Sequence, residues 1–160
     1  MCTSHTVIFG NSNQMSEIAT SSIDLVVTSS TYPMIKMWDN QFSILNPQLL
    51  QLWNDMETNK NEESLNKIYQ LMHDSLEKIW IETFRVLVDG GIACINIGAA
   101  TRKIKGKFRL FPNQAKIIGL CEKVGFTTLP YVLWKKTTTK PQYRGKNVFL
   151  GSVFSLLMHM

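Results

Sequence analysis

Ser29, Ser30, Thr31 and Tyr32 are the residues of this chain best placed to do chemistry. They follow a short apolar, β-branched run, Leu25 to Thr28 with Ile23 ahead of it, and they lead into Pro33. Such a run has the length and composition of a buried strand. In an open α/β sheet, ligands gather just beyond the carboxyl ends of the strands. Short hydroxyl side chains followed by a phenol ring at that edge offer hydrogen bonds and a flat surface, which suits a planar ring with polar edges. An ordinary exit from strand to loop is the alternative these four residues leave open.

Other chemistry is harder to assemble. With only His5, His73 and His159 available, no metal-ligand cluster can be drawn. Cys2, Cys94 and Cys121 are odd in number and lack any CxxC pattern, which reads as reduced thiols in a cytoplasmic protein. No apolar run reaches the roughly 18 residues needed to cross a bilayer. The first ten residues, MCTSHTVIFG, lack the basic start and apolar segment expected of a secretion signal. A hydrophobic content of 44% with 18% charge is that of a soluble globular chain.

The net charge of +5 is unevenly distributed. Residues 1–100 carry five Lys/Arg against eleven Asp/Glu, and residues 101–160 carry twelve against Glu122 alone. A one-sided excess of this size is the footprint of a polyanion such as nucleic acid, against the plainer reading of a solvated basic face. Within a basic segment at 101–146, Arg102, Lys103, Lys105, Lys107, Arg109, Lys135, Lys136, Lys140 and Arg144 are the candidate phosphate contacts.

The elements that must position these residues follow from periodicity. Residues 6–9 read as a short strand ended by Gly10-Asn11, and residues 14–20 as one or two helical turns. Asn46-Pro47 caps a helix with Leu49, Leu50, Leu52 and Trp53 on its apolar side, and residues 57–63 read as a loop. Residues 64–89 form the clearest helix, with a stripe of Leu65, Ile68, Met72, Leu76, Ile79, Trp80, Phe84 and Leu87. Asp74 and Lys78 can pair on its wet side, His73 reads as a solvated surface residue, and Gly90-Gly91 end it. A buried strand at 92–97 completes a βαβ crossover of a parallel sheet. Residues 103–111 suit a β-ribbon or a mobile loop about Gly106. Pro112 starts a helix with Ala115, Ile118, Cys121 and Val124 on one face, closing at Gly125. Residues 126–134 read as a strand with an edge or bulge at Pro130. A basic, turn-rich stretch at 135–146 and an apolar tail from 148 follow.

The segment at 23–39 resembles the catalytic loop of the DNA amino-methyltransferases, above all the cytosine-N4 type, in which a strand like DLVVTS leads into S-P-P-Y. Ser30 and Thr31 stand where that family has two prolines, which loosens a loop that proline would stiffen. Gly98-Ala99-Ala100-Thr101-Arg102 is similar to the family's G-D-A-T-R, and Asn11 replaces the acid of its Gly-Asp turn. The resemblance implies an α/β, Rossmann-like methyltransferase fold, with a mostly parallel sheet flanked by helices, incomplete here. It implies one partial domain over 1–160, the catalytic half of a permuted enzyme. It implies methyl transfer from S-adenosylmethionine to the exocyclic amine of a flipped base in double-stranded DNA, as in a restriction-modification system. Ser29 would accept hydrogen bonds from the amine, Ser30 would supply a carbonyl, and Tyr32 would stack on the base. Asn11 and Ser12 would lie near the cofactor. The family's F-x-G-x-G turn is not among the glycines of this chain, so a second chain would supply that half. An inactive nucleic-acid-binding remnant, and more distantly an RNA methyltransferase, are the alternatives.

Overall fold

The computed structural model describes residues 2–59, 62–104, 106–134 and 153–159. β1 (Ile23–Thr28) pairs in parallel with β2 (Leu87–Gly98), Leu25 to Thr28 lying opposite Ile92 to Ile95. Between them come a 3-10 turn at Lys36–Trp38, α1 (Asp39–Leu45), α2 (Gln48–Asn59) and the long α3 (Glu62–Val86). The crossover expected from the sequence is thus present, and the α/β, Rossmann-like reading holds. Parallel pairing among the described strands is confined to β1 and β2. β7 (Val153–His159) runs antiparallel to β2, and β5 (Thr127–Thr128) and β6 (Val132–Trp134) pair with its far edge. β5 and β6 are one strand broken around Pro130, which has no N–H to give a ladder.

Helices cover one face of the sheet. Leu65, Ile68, Met72, Leu76 and Trp80 of α3 are buried together with Ala93, Ile95 and Ile97 of β2. At about 1.5–3 kcal/mol for each large apolar side chain, that stripe supplies on the order of 10 kcal/mol, far above helix propensity. α4 (Asn113–Val124) closes the same side with Asn113, Ile117, Leu120 and Cys121 buried; the expected face was one step off, since Ala115 is exposed. Burial pushes the Cys121 thiol up to about 12, helped by Glu122. Among the described residues nothing covers the other face. Leu25 and Val27 are 56% and 70% exposed there, beside half-buried Ile92, Cys94 and Asn96.

Several boundaries differ from expectation. α3 passes into β2 at Leu87, and Gly90-Gly91 lie inside the strand instead of capping the helix. Gly90 takes φ 77° where the register slips between Ile23 and Leu25, so the glycines make a bulge. α2 runs on to Asn59 through residues read as a loop. Asn46 does cap α2, its Oδ1 accepting from the Gln48 N–H at 3.2 Å. Asp74 is held by Gln70 at 2.6 Å.

Residues 6–9 are not a strand. Val7 and Phe9 are 75% and 94% exposed, and an apolar run without a neighbouring edge gains no ladder. Residues 14–20 make isolated turns. They are fastened by Arg85, which donates to the carbonyls of Ile18 (3.0 Å) and Met15 (2.8 Å), while Glu82 accepts from the Met15 N–H (2.8 Å). The Arg85 hydrogen bond, then the Met15 N–H, hold the Glu82 carboxyl down to about 2. This knot fixes where the chain enters β1.

Candidate active site

Thr28 lies opposite Ile95, so the chain leaves β1 level with Asn96 of β2, at the carboxyl ends of both strands. Ser29 is exposed at that rim, and Ser30, Thr31 and Tyr32 are half-buried. The Tyr32 hydroxyl reaches the Asn96 carbonyl at 3.5 Å, a long contact, and its ring packs on the core. Ser30 Oγ and Asn96 Oδ1 are buried without a hydrogen-bond partner among the described residues, leaving polar capacity at the loop.

What the loop lacks in proline it gains in side-chain ties. Asn113, first residue of α4 and 0% exposed, donates from Nδ2 to the carbonyls of Pro33 (3.0 Å) and Gly98 (3.2 Å). One amide thereby joins the loop after β1 to the end of β2. Both targets can only accept, so Asn113 Oδ1 must face His73, whose Nε2 donates at 3.2 Å. His73 Nδ1 is left as a buried acceptor without a partner among the described residues. The expected solvated histidine is therefore a core residue at 0% exposure, edge-on to Tyr69 at 4.7 Å. Burial lowers its imidazole to about 4, outweighing the Asn113 hydrogen bond.

A second tie comes from β3 (Ala100–Ile104), which pairs with β4 (Lys107–Phe111) as an antiparallel ribbon. Arg102 Nε donates to the Met34 carbonyl (3.1 Å), and one terminal nitrogen donates to both Asp39 oxygens (2.7 and 2.8 Å). Its guanidinium lies 4.7 Å from the centre of the Trp53 ring. Burial raises the Asp39 carboxyl, with Arg102 pulling the other way. Met34 itself is buried at φ 68°, a left-handed conformation that costs a side-chain-bearing residue about 1 kcal/mol or more. Its N–H is held by Met72 Sδ (3.4 Å) and its carbonyl by Arg102, so surrounding contacts impose the turn.

A family model described as DNA methylase matches residues 23–152, which takes in β1, its loop and the ribbon. This chain belongs to the DNA methylase family. Type II methyltransferase M.MjaI of Methanocaldococcus jannaschii is 55% identical over 156 residues, covering 95% of this chain and 50% of that protein. Type II methyltransferase M.MthZI of Methanothermobacter thermautotrophicus is 45% identical over 152 residues, covering 95% and 40%. The chain spans about half the length of these curated relatives or less. TTHA0409 of Thermus thermophilus, named as a DNA modification methylase and solved with S-adenosyl-L-methionine, matches in fold with a TM-score of 0.66. That match is 24% identical and covers 94% of this chain and 53% of that one.

In this DNA methylase chain the other candidate residues fall in three places. Asn11 and Ser12 are exposed in the N-terminal segment, where residues 8–18 line a cavity of about 150 Å³. Ligand sites of drug size run to about 300–1,000 Å³, so this cavity by itself is too small to enclose a whole S-adenosylmethionine. Lys103 and Lys107 are exposed on the ribbon, while Arg102 is committed to Asp39 and Arg109 to Asn66 and the Phe111 ring. Lys105, Lys135, Lys136, Lys140 and Arg144 lie outside the described residues. Among the described residues no cluster of His, Cys, Asp and Glu is placed to hold a metal, and no helix is long and apolar enough to cross a membrane.

Asn113, Asn96 and Met34 were not singled out from the sequence. An Asn after Pro112 reads as a helix start, and nothing local shows that its amide spans two strand ends. Arg102 was read as a phosphate contact and as the end of the stretch similar to G-D-A-T-R, not as a tie to Met34 and Asp39.

Proposed function

We propose that this chain is the base-binding part of a DNA amino-methyltransferase, a single partial domain acting on the exocyclic amine of a base withdrawn from the duplex, with cytosine N4 the favoured target. The observation that carries this reading is the tied loop: Ser29 is exposed at the rim, Tyr32 is half-buried with its hydroxyl 3.5 Å from the Asn96 carbonyl, and Pro33 and Met34 are clasped from two sides. An exocyclic amine is a weak nucleophile because its lone pair is conjugated with the ring. Ser29 Oγ and the Ser30 carbonyl accept its two N–H groups, which favours rehybridisation of the nitrogen, and Tyr32 holds the base flat by stacking. The amine nitrogen would attack the methyl that S-adenosylmethionine carries on its sulfonium: the N–C bond forms as the C–S bond breaks, the sulfur leaves as a neutral thioether, and the proton lost from the nitrogen passes to water. Much of the acceleration is positioning, for which the ties substitute for proline.

Among the described residues one face of β1 and β2 is open and the outer edge of β1 has no paired strand, which supports docking of a cofactor-binding part carrying an F-x-G-x-G turn, in a second chain. The small cavity at Asn11 and the missing acids at Asn11 and Ala99 favour a second reading for the chain by itself, a DNA-binding subunit without activity. A cytoplasmic, restriction-modification setting fits both.

Methyl-labelled S-adenosylmethionine and duplex DNA test this, with the chain alone and mixed with the portion of M.MjaI outside the match. Label recovered as N4-methylcytosine only from the mixture is the expected result. N6-methyladenine would correct the base. No label and no calorimetric cofactor binding in the mixture would leave the second reading.

A further inference from the structure

The ribbon of β3 and β4 carries a side chain that the loop chemistry does not use. Phe108 is 73% exposed and Leu110 is 53% exposed on its outward face. Burying a phenylalanine is worth about 1.5–3 kcal/mol, so a free one on a rooted hairpin leaves that gain to a partner. The root is firm: Ala100 and Phe111, opposite one another, are 0% and 2% exposed. The inward residues Arg102 and Arg109 are held by the protein, whereas Lys103, opposite Phe108 on the outward face, and Lys107, opposite Ile104 on the other face near the tip, are both exposed. Residues 100–111 contain five Lys/Arg and no acid. An apolar groove on another protein does not call for that charge; a polyanion with stacked rings does.

The ribbon also stands beside the site. Arg102 grips the carbonyl of Met34, and the Lys103–Phe108 pair is the next step toward the tip, about 3.4 Å further along a strand. A base withdrawn toward Ser29 and Tyr32 leaves a gap in the duplex stack, and apolar side chains enter such steps in other DNA-bending proteins. We propose that Phe108 inserts into the DNA stack at the vacated step while Lys103 and Lys107 hold the flanking phosphates. This rests on the DNA reading above.

The test is fluorescence anisotropy on this chain with two labelled duplexes, one intact and one with an abasic site, over a salt series. Wild type is expected to bind the abasic duplex about 5- to 100-fold more tightly, the range one base–aromatic stack supports. Phe108→Ala should bring that ratio close to one, and Phe108→Trp should restore it. Lys103→Gln and Lys107→Gln should weaken both duplexes equally and flatten the salt slope by about 0.9 each. An unchanged ratio in Phe108→Ala overturns the insertion alone. So does a lowered melting temperature in that variant with the ratio intact, which would mean protein covers the ring. No binding of either duplex by wild type overturns the DNA reading itself.

Discussion

Replacing Asn113 with alanine removes one side chain and strands three buried groups: the carbonyls of Pro33 and Gly98 and the Nε2–H of His73. Each buried group left without its partner costs about 1–3 kcal/mol, and partial repacking or water entry recovers some of it. The expected loss is about 3–5 kcal/mol, a large share of the roughly 5–15 kcal/mol that holds a domain together. Urea unfolding followed by tryptophan fluorescence reads this as a lower midpoint with the slope unchanged. Asn113→Asp makes a second arm. Its carboxylate still accepts from His73 but has no N–H for the two carbonyls, so it should recover part of the loss at most. In a complemented enzyme, Asn113→Asp should lower kcat by about 100-fold with KM for DNA nearly unchanged, because a loop released by an ångström costs orientation more than binding. A loss below about 1 kcal/mol in Asn113→Ala would refute the tie, since that is the level of an ordinary surface change.

Three further outcomes follow from the same contacts. His73 is lowered from 6.5 to about 4, so the unfolded chain protonates first; stability should be full above about pH 6.5 and fall by about 3 kcal/mol toward pH 4, a slope that His73→Gln abolishes in pH-dependent melts. Arg102→Lys loses the Met34 bond and the Trp53 contact, and should cost about 1–3 kcal/mol in the same urea assay, with Asp39→Asn in that background adding little. Gly125 sits at φ 126° with the Phe84 ring 2.9 Å from an added Cβ, so Gly125→Ala should lower the melting temperature by several degrees, about 1–2 kcal/mol.

The sequence was most legible where one local pattern decides an element. The stripe on α3, the start of α4 after Pro112, its stop at Gly125 and the β1–α3–β2 crossover all follow from periodicity and caps. It was least legible where a partner lies far along the chain. His73 sits one residue from Met72 on the flank of the apolar stripe, so its neighbours in sequence look polar; α4, forty positions on, covers that flank and buries it. Gly90-Gly91 carry the signal of a helix end and also that of a bulge, and only the register with β1 decides. Ser29 to Tyr32 were chosen as candidates from residue type and place, while the ties on the loop just after them, at Pro33 and Met34, join residues 80 and 68 positions apart. Loop rigidity here is tertiary.

The central claim is that Tyr32 and Ser29 receive a base drawn out of DNA. Photo-crosslinking of the complemented protein to duplexes carrying 5-iodocytosine, with peptide mapping, tests it directly. A crosslink in the peptide containing Tyr32, lost in Tyr32→Ala and separate from any at Phe108, is the predicted result. Crosslinks confined to the ribbon, with Tyr32 untouched, would contradict it.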